Sequence, residues 1–153
     1  MYVELHAASA FSFLQAASLP EELARMAART DMPAMAIIDR DGVYGAPRFH
    51  MEGARAGIRP HIGSEITVVG GHRYPLLVAT RQGYRNLCRL TTQMKMRARK
   101  GEGTVTLEEL AEHAAGLICL TGDTHGPLAA TLRDGGIPVA RQCLRQLTEI
   151  FGH

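Results

Sequence analysis

The chain has 153 residues, enough for one domain with a real core and too few for two comfortable ones. Hydrophobic residues make up 46% and charged residues 21%, with no low-complexity tract, so the composition is that of an ordinary globular protein and disorder explains nothing here. A formal net charge of +2 is too mild to imply nucleic-acid binding unless the basic residues cluster on one face. No apolar run approaches the ~20 residues that span a bilayer, and no basic segment followed by an apolar stretch and a cleavage site marks the start. A cytoplasmic chain without a membrane partner is expected. Cys88, Cys119 and Cys143 are widely spaced, odd in number and flanked by apolar residues, which suits buried free thiols better than a zinc site or disulfides.

Apolar strand-like runs alternate with helical patterns along the chain, the mark of crossover units on a mostly parallel sheet. Residues 2–6 form the first candidate strand and end in His6. Ser18 and Glu21 have the spacing of a capping box, Pro20 suits a first helical turn, and Leu23, Met26 and Ala27 recur at helical intervals, predicting a helix over about 19–30. Residues 33–38 are a continuous apolar run ending at Asp39, as expected of a strand buried on both faces. A helix over 45–56 stopped by Gly57 leads into a third strand over 59–68 that contains Glu65. Gly70 and Gly71 then mark a hairpin, because paired glycines supply the positive φ angles such turns need.

The hairpin's second strand covers 74–78, and a longer helix follows from about 82 to 97 with Tyr84, Leu87, Leu90 or Thr91, and Met94 facing inward. After a polar loop over 98–103, Thr106 and Glu109 repeat the capping-box spacing before a short helix stopped by Gly116. Residues 117–121 read as a further buried strand. The tail from Pro138 to Phe151 is a last amphipathic helix, with Gly122, Gly126, Gly135 and Gly136 punctuating the link before it.

Three successive strands therefore present His6, Asp39 and Glu65, ligand types that could bind a divalent metal, activate a water and clamp phosphate oxygens. From periodicity alone they stay open between that role and plainer ones, a hydrogen-bonded histidine and two loop or cap acids. His50, His61, His72, His113 and His125 show no close ligand spacing. The run Thr121-Gly-Asp-Thr-His125-Gly follows a strand but lacks the Lys-Ser/Thr of a phosphate-binding loop, and no nucleophile elbow or convincing triad occurs, so no residue is singled out as catalytic. A second signal lies in residues 81–100, which hold Arg81, Arg85, Arg89, Lys95, Arg97, Arg99 and Lys100 and not one acid. Arginines every fourth residue line one helix face, giving either a solvated surface or one that meets nucleic-acid phosphates or an acidic neighbouring domain.

Taken in order, His6, Ser9-x-Phe11-Ser12-Phe13-Leu14, Ile38-Asp39, Gly57-Ile-x-Pro60-x-Ile-Gly63-x-Glu65 and Gly83-Tyr-Arg-Asn-Leu-Cys-Arg-Leu90 resemble the polymerase-and-histidinol-phosphatase (PHP) domain. More narrowly, the chain resembles the N-terminal PHP domains of bacterial C-family DNA polymerases of the polymerase III alpha type. Glu4-Leu-His6, Phe11 to Leu14, Ala17 to Leu23 and Gly83 to Leu90 lean towards the error-prone branch.

The resemblance implies the first part of a distorted β/α barrel, a single partial PHP domain over 1–153, and a larger polymerase chain that performs damage-associated DNA synthesis. DNA would be met through that parent chain. The open sheet edges of a partial barrel would invite self-association. It also implies metal ligands at strand ends, with no tightly bound ion expected, and Mg, Mn or Zn as the ion if the residual site functions. His6 then matches the first histidine of a His-x-His motif whose second is Ala8, and Gln15 stands near an expected acid. Asp39 matches the aspartate of an Asp-His pair whose histidine is Arg40, Glu65 matches the family glutamate, and a further histidine expected near Tyr74 or Pro75 is missing. The expectation is a catalytically degenerate scaffold. Its alternatives are a metal-dependent 3′–5′ exonuclease or phosphoesterase, and a binding module working through the 81–100 segment.

Overall fold

The computed structural model describes residues 2–152. In chain order the elements are β1 (Glu4–Ala7), α1 (Pro20–Arg29), β2 (Ala34–Arg40), α2 (Ala46–Ala56), β3 (Arg59–Thr67), β4 (Arg73–Val78), α3 (Arg81–Arg97), α4 (Leu107–Glu112), β5 (Leu117–Cys119) and α5 (Pro127–Phe151). The strands hydrogen-bond in the order β1-β2-β3-β4-β5. β1 and β2, joined by the helix α1, pair in parallel. β3 reaches β4 through residues 68–72, where the Val68 N–H donates to the His72 carbonyl (2.9 Å) and the Gly71 N–H to the Val68 carbonyl (2.9 Å). So short a connection permits only an antiparallel neighbour.

β4 and β5 are also antiparallel, with Leu76 opposite Cys119 and Val78 opposite Leu117. The mostly parallel sheet with one hairpin is thereby corrected to a mixed sheet. A single crossover helix returns the chain to enter its next strand in the same direction, whereas here α4 follows α3 and reverses the chain once more. The five-stranded sheet is open rather than closed into a barrel, with β1 and β5 at its edges.

The chain divides into two compact units, one up to Ser64 and one from Glu65 onward. In the first, Ala24 and Ala27 of α1, Met35 and Ile37 of β2, Phe49 of α2 and Ile58 form one apolar cluster. Small side chains three residues apart let α1 lie close against its neighbours, and Phe49 fills the space so defined. The α1 cap sits one residue later than expected. Leu19 rather than Ser18 precedes the helix, and its N–H donates to Glu22 Oε2 (3.0 Å); leucine offers no acceptor in return, so only half of a capping box forms.

In the second unit Ile66, Leu76, Leu87, Leu90, Met94, Val105 and Leu110 are buried. Leu87, Leu90, Thr91 and Met94 face inward from α3 as the period predicts, but Tyr84 is 40% exposed. Gly83 and Asn86 take the inward places near the start of α3 instead: at Gly83 the backbone lies directly against the Gly116 backbone and leaves no room for a side chain, and Asn86 Nδ2 donates to the Ala115 carbonyl (2.9 Å). α5 starts at Pro127 rather than Pro138, since Pro127 suits a first turn and residues 128–135 continue helically. Gly136, at φ 68° and ψ −169°, breaks the helical geometry inside it, so the glycine pair acts as a kink rather than a linker.

Candidate functional site

β2 carries Asp39 into the interior of the first unit, where it is 2% exposed. A carboxylate this deep is costly unless its oxygens are hydrogen-bonded. Its Oδ1 accepts from the Ser9 N–H (2.7 Å), Ser9 Oγ (2.9 Å) and Ser12 Oγ (2.9 Å), and its Oδ2 from Ser9 Oγ (3.0 Å) and the Gly45 N–H (3.3 Å). The supporting groups are tied in turn. Ser12 Oγ accepts the Arg40 N–H (3.0 Å), and Ser64 Oγ donates to the Asp39 carbonyl (2.9 Å) while accepting the Gly42 N–H (2.9 Å). Gly45 is required by distance, because a Cβ there would lie 2.6 Å from Asp39 Oδ2.

A divalent metal needs carboxylate lone pairs directed at the ion. Both Asp39 oxygens are directed at protein donors instead. Among the described residues no group of three or more His, Cys, Asp or Glu side chains is placed to hold a metal ion. Glu65, buried at the second unit's end of β3, lies 3.5 Å from Arg73 Nη1 in an ion pair. His6 is half-buried in β1, and its N–H donates to Glu4 Oε1 (2.8 Å). The Tyr2 hydroxyl hydrogen-bonds Glu4 and holds its carboxyl below the usual range. Arg40 pairs with Asp41 (3.4 Å). Tyr74, near the position of the missing histidine, is buried, and burial pushes its phenol up to about 12.

Among the other described histidines, His72 and His125 line one cavity with Thr124 and Arg133. His113 Nδ1 lies 2.8 Å from the Glu109 carbonyl, and His125 pairs with Asp123 (3.6 Å) at the surface. The three thiols are free, but only Cys143 is fully buried; Cys88 and Cys119 are half-buried. Burial pushes the Cys119 thiol up to about 12, which keeps it protonated and unreactive.

Within the basic segment, Arg81, Arg85, Arg89, Lys95, Arg97, Arg99 and Lys100 are all exposed. At about 100° per residue, the first three fan over roughly 80° centred on Arg85, directly opposite the buried stripe of Leu87, Leu90 and Met94. Arg97 is occupied otherwise. It forms two bonds to Glu109, one of them 2.6 Å from Nη2, and donates to the Thr104 carbonyl (2.7 Å).

Sequence reasoning missed Ser9 and Ser12 as partners of Asp39. Their one signal was the Ser-x-x-Ser spacing in a tight turn, closed by the Ser12 N–H on the Ser9 carbonyl (2.8 Å).

Helices α1 and α2, the parallel β1–β2 pair and an acid at the end of β2 define an α/β fold of the PHP kind, and the chain belongs to the PHP family, whose domain matches residues 4–153. Within it, the chain is 40% identical over 163 residues to the error-prone DNA polymerase of Mycolicibacterium paratuberculosis, covering 99% of this chain and 15% of that protein. It is 38% identical over 151 residues to the error-prone DNA polymerase of Anaeromyxobacter sp. strain K, covering 87% of this chain and 13% of that one. The chain thus spans about a seventh of the length of these curated relatives. A Bifidobacterium adolescentis protein described as a metal-dependent phosphoesterase shares the fold, at 13% identity and a TM-score of 0.51, over 95% of this chain and 54% of that one. So does an amidohydrolase from Chromobacterium violaceum, at 21% identity and the same TM-score and coverage.

Proposed function

We propose that this chain is a catalytically degenerate PHP module that scaffolds a larger, error-prone DNA polymerase used in damage-associated synthesis. The observation that carries this reading is the Asp39 carboxylate, whose two oxygens are taken up by Ser9, Ser12 and Gly45. Ala8, Gln15 and Arg40, at positions where the family resemblance expects ligands, add support. Arg40 would also bring a cation to a cation's place. Polymerisation would belong to the longer chain, as it does by name in the relatives.

The alternative, a 3′–5′ exonuclease or phosphoesterase using Mg, Mn or Zn, would need Asp39 to release its donors and Glu65 to leave Arg73. Release would strand two buried hydroxyls and two N–H groups, at a cost of about 1–3 kcal/mol for each unsatisfied group. Hydrolysis of a 3′-labelled primer by the full-length polymerase, with His6→Ala as control, tests the reading. The scaffold reading expects no hydrolysis that depends on His6, and loss of a robust nuclease activity on that substitution would sink it.

One observation favours a second role. The arginine fan of α3 faces directly away from the buried stripe and meets no acid on its own helix, which supports contact with nucleic-acid phosphates.

A further inference from the structure

The outer face of α3 carries more than charge. At a rise of about 1.5 Å per residue, Arg81, Arg85 and Arg89 follow one another every ~6 Å along it. All three are exposed, and among the described residues none of them forms an ion pair. Tyr84 flanks the row, 40% exposed, and its hydroxyl hydrogen-bonds the Cys88 side chain one turn on. Beyond it, Cys88, Arg89, Thr92 and Gln93 line a shallow hollow of about 260 Å³. Bare cations, an aromatic ring and a hollow therefore share one side of one helix.

Charge decides what can cover such a face. Residues 81–100 hold seven basic side chains and no acid, and burying unpaired guanidinium groups under other protein is costly. Solved proteins of this fold are about twice as long as the chain, and further strands would extend the sheet from its open edges. The arginine row points the other way, since the opposite stripe of α3 is the one packed on β4 and β5. A polyanion is the complementary partner.

Duplex and single strand offer this face different things. A duplex hides its base faces in the stack, so Tyr84 and the hollow would have nothing to hold. A single strand presents phosphates and bare bases together, and a cationic track with an aromatic platform holds such strands whatever their sequence. We infer that the outer face of α3 is a track for single-stranded DNA. Arg81, Arg85 and Arg89 take successive phosphates, one base stacks on Tyr84, and its neighbour enters the hollow beside Arg89. The inference rests on the reading of this face as one that meets nucleic-acid phosphates, and adds which form of the nucleic acid it takes. On a polymerase, such a track would hold strand that is not paired.

The test uses the full-length polymerase and a short oligothymidylate carrying one iodouracil, which on irradiation bonds to an aromatic ring stacked on it. Peptide mapping should place an adduct on Tyr84, and Tyr84→Phe, which keeps the ring, should keep the adduct at that position. Arg81→Glu with Arg85→Glu and Arg89→Glu should lower its yield roughly tenfold or more at low salt, with the gap closing as salt rises. These arginines are exposed, so reversing them leaves the packing of α3 in place. Unlabelled single strand should displace the probe from Tyr84 at roughly tenfold lower concentration than duplex of the same length, the scale of one stacked base. Adducts confined to other parts of the parent protein, as when an acidic segment of the polymerase covers the face, would overturn the inference with no variant needed. So would a Tyr84 adduct whose yield ignores charge reversal. An adduct that duplex displaces as readily as single strand would overturn it too, while leaving phosphate contact standing. The salt dependence of DNA affinity for the whole polymerase reads that contact separately, so the two can fail independently.

Discussion

Asp39 shows how one residue type can serve two kinds of site. The sequence places an acid at the end of a buried strand, and such an acid can hold either a cation or a set of N–H and O–H donors; which of the two depends on what surrounds it. Here the surroundings are Ser9 and Ser12, some thirty residues earlier, and the Gly45 N–H. Asp39→Ala is expected to lower stability by about 3 kcal/mol or more, since several buried donors lose their acceptor together. Ser12→Ala should cost about 1–2 kcal/mol, and Gly45→Ala about 1–3 kcal/mol through the clash with Oδ2. Urea unfolding of the 153-residue chain measures all three. A near-neutral Asp39→Ala would show that the carboxylate is not structural. The acid itself was legible in the sequence because an apolar strand pattern points at it. Its partners were not, because hydroxyls in a loop declare no partner until the loop is folded back.

At the scale of elements, local signals read well where they were self-contained. The Thr106 capping box forms as spaced: Thr106 Oγ accepts the Glu109 N–H (3.3 Å) and Glu109 Oε2 accepts the Thr106 N–H (2.8 Å). What spacing alone could not show is that Arg97 reaches the same carboxylate from the end of α3. That guanidinium, with the Thr106 N–H, holds the Glu109 carboxyl at about 2, well below its ordinary 4.5. A depressed carboxyl stabilises the fold fully above its ordinary value and loses that contribution as pH falls from about 4.5 to about 2. The pair is exposed, so solvent screens it and the effect on stability is modest. Glu109→Gln should remove that acid-side dependence from the melting temperature, and an unchanged pH profile would contradict the assignment.

The arginines of α3 make a different prediction. Charge reversal at Arg81, Arg85 and Arg89 in the full-length polymerase should weaken DNA binding at low salt and flatten the slope of log affinity against log salt by about 2–3. An unchanged slope would leave the arginine fan as a solvated surface. Tyr84 and the start of α5 were misread for related reasons. Periodicity counts hydrophobic side chains but cannot see two backbones in contact at Gly83 and Gly116, nor a helix that continues up to a glycine kink.

Over the whole molecule, the order of strands and helices was largely legible, because apolar runs, caps and glycine stops are local. Strand direction was less so. The antiparallel β4–β5 pair depends on how many helices intervene, a fact of the path rather than of any one segment. The sheet edges are short, three residues in β5 and four in β1, and stay open to pairing. The isolated chain should therefore self-associate as concentration rises, which sedimentation can show, and a monomer at high concentration would contradict it.

We propose that the remnant of a metal site in this chain bears structure instead of a metal. It is tested most directly by the metal content of the full-length polymerase after exhaustive dialysis, for the parent and for His6→Ala. Well under one tightly held Mg, Mn or Zn per chain is expected in both proteins. A stoichiometric ion retained by the parent and lost on His6→Ala would contradict it.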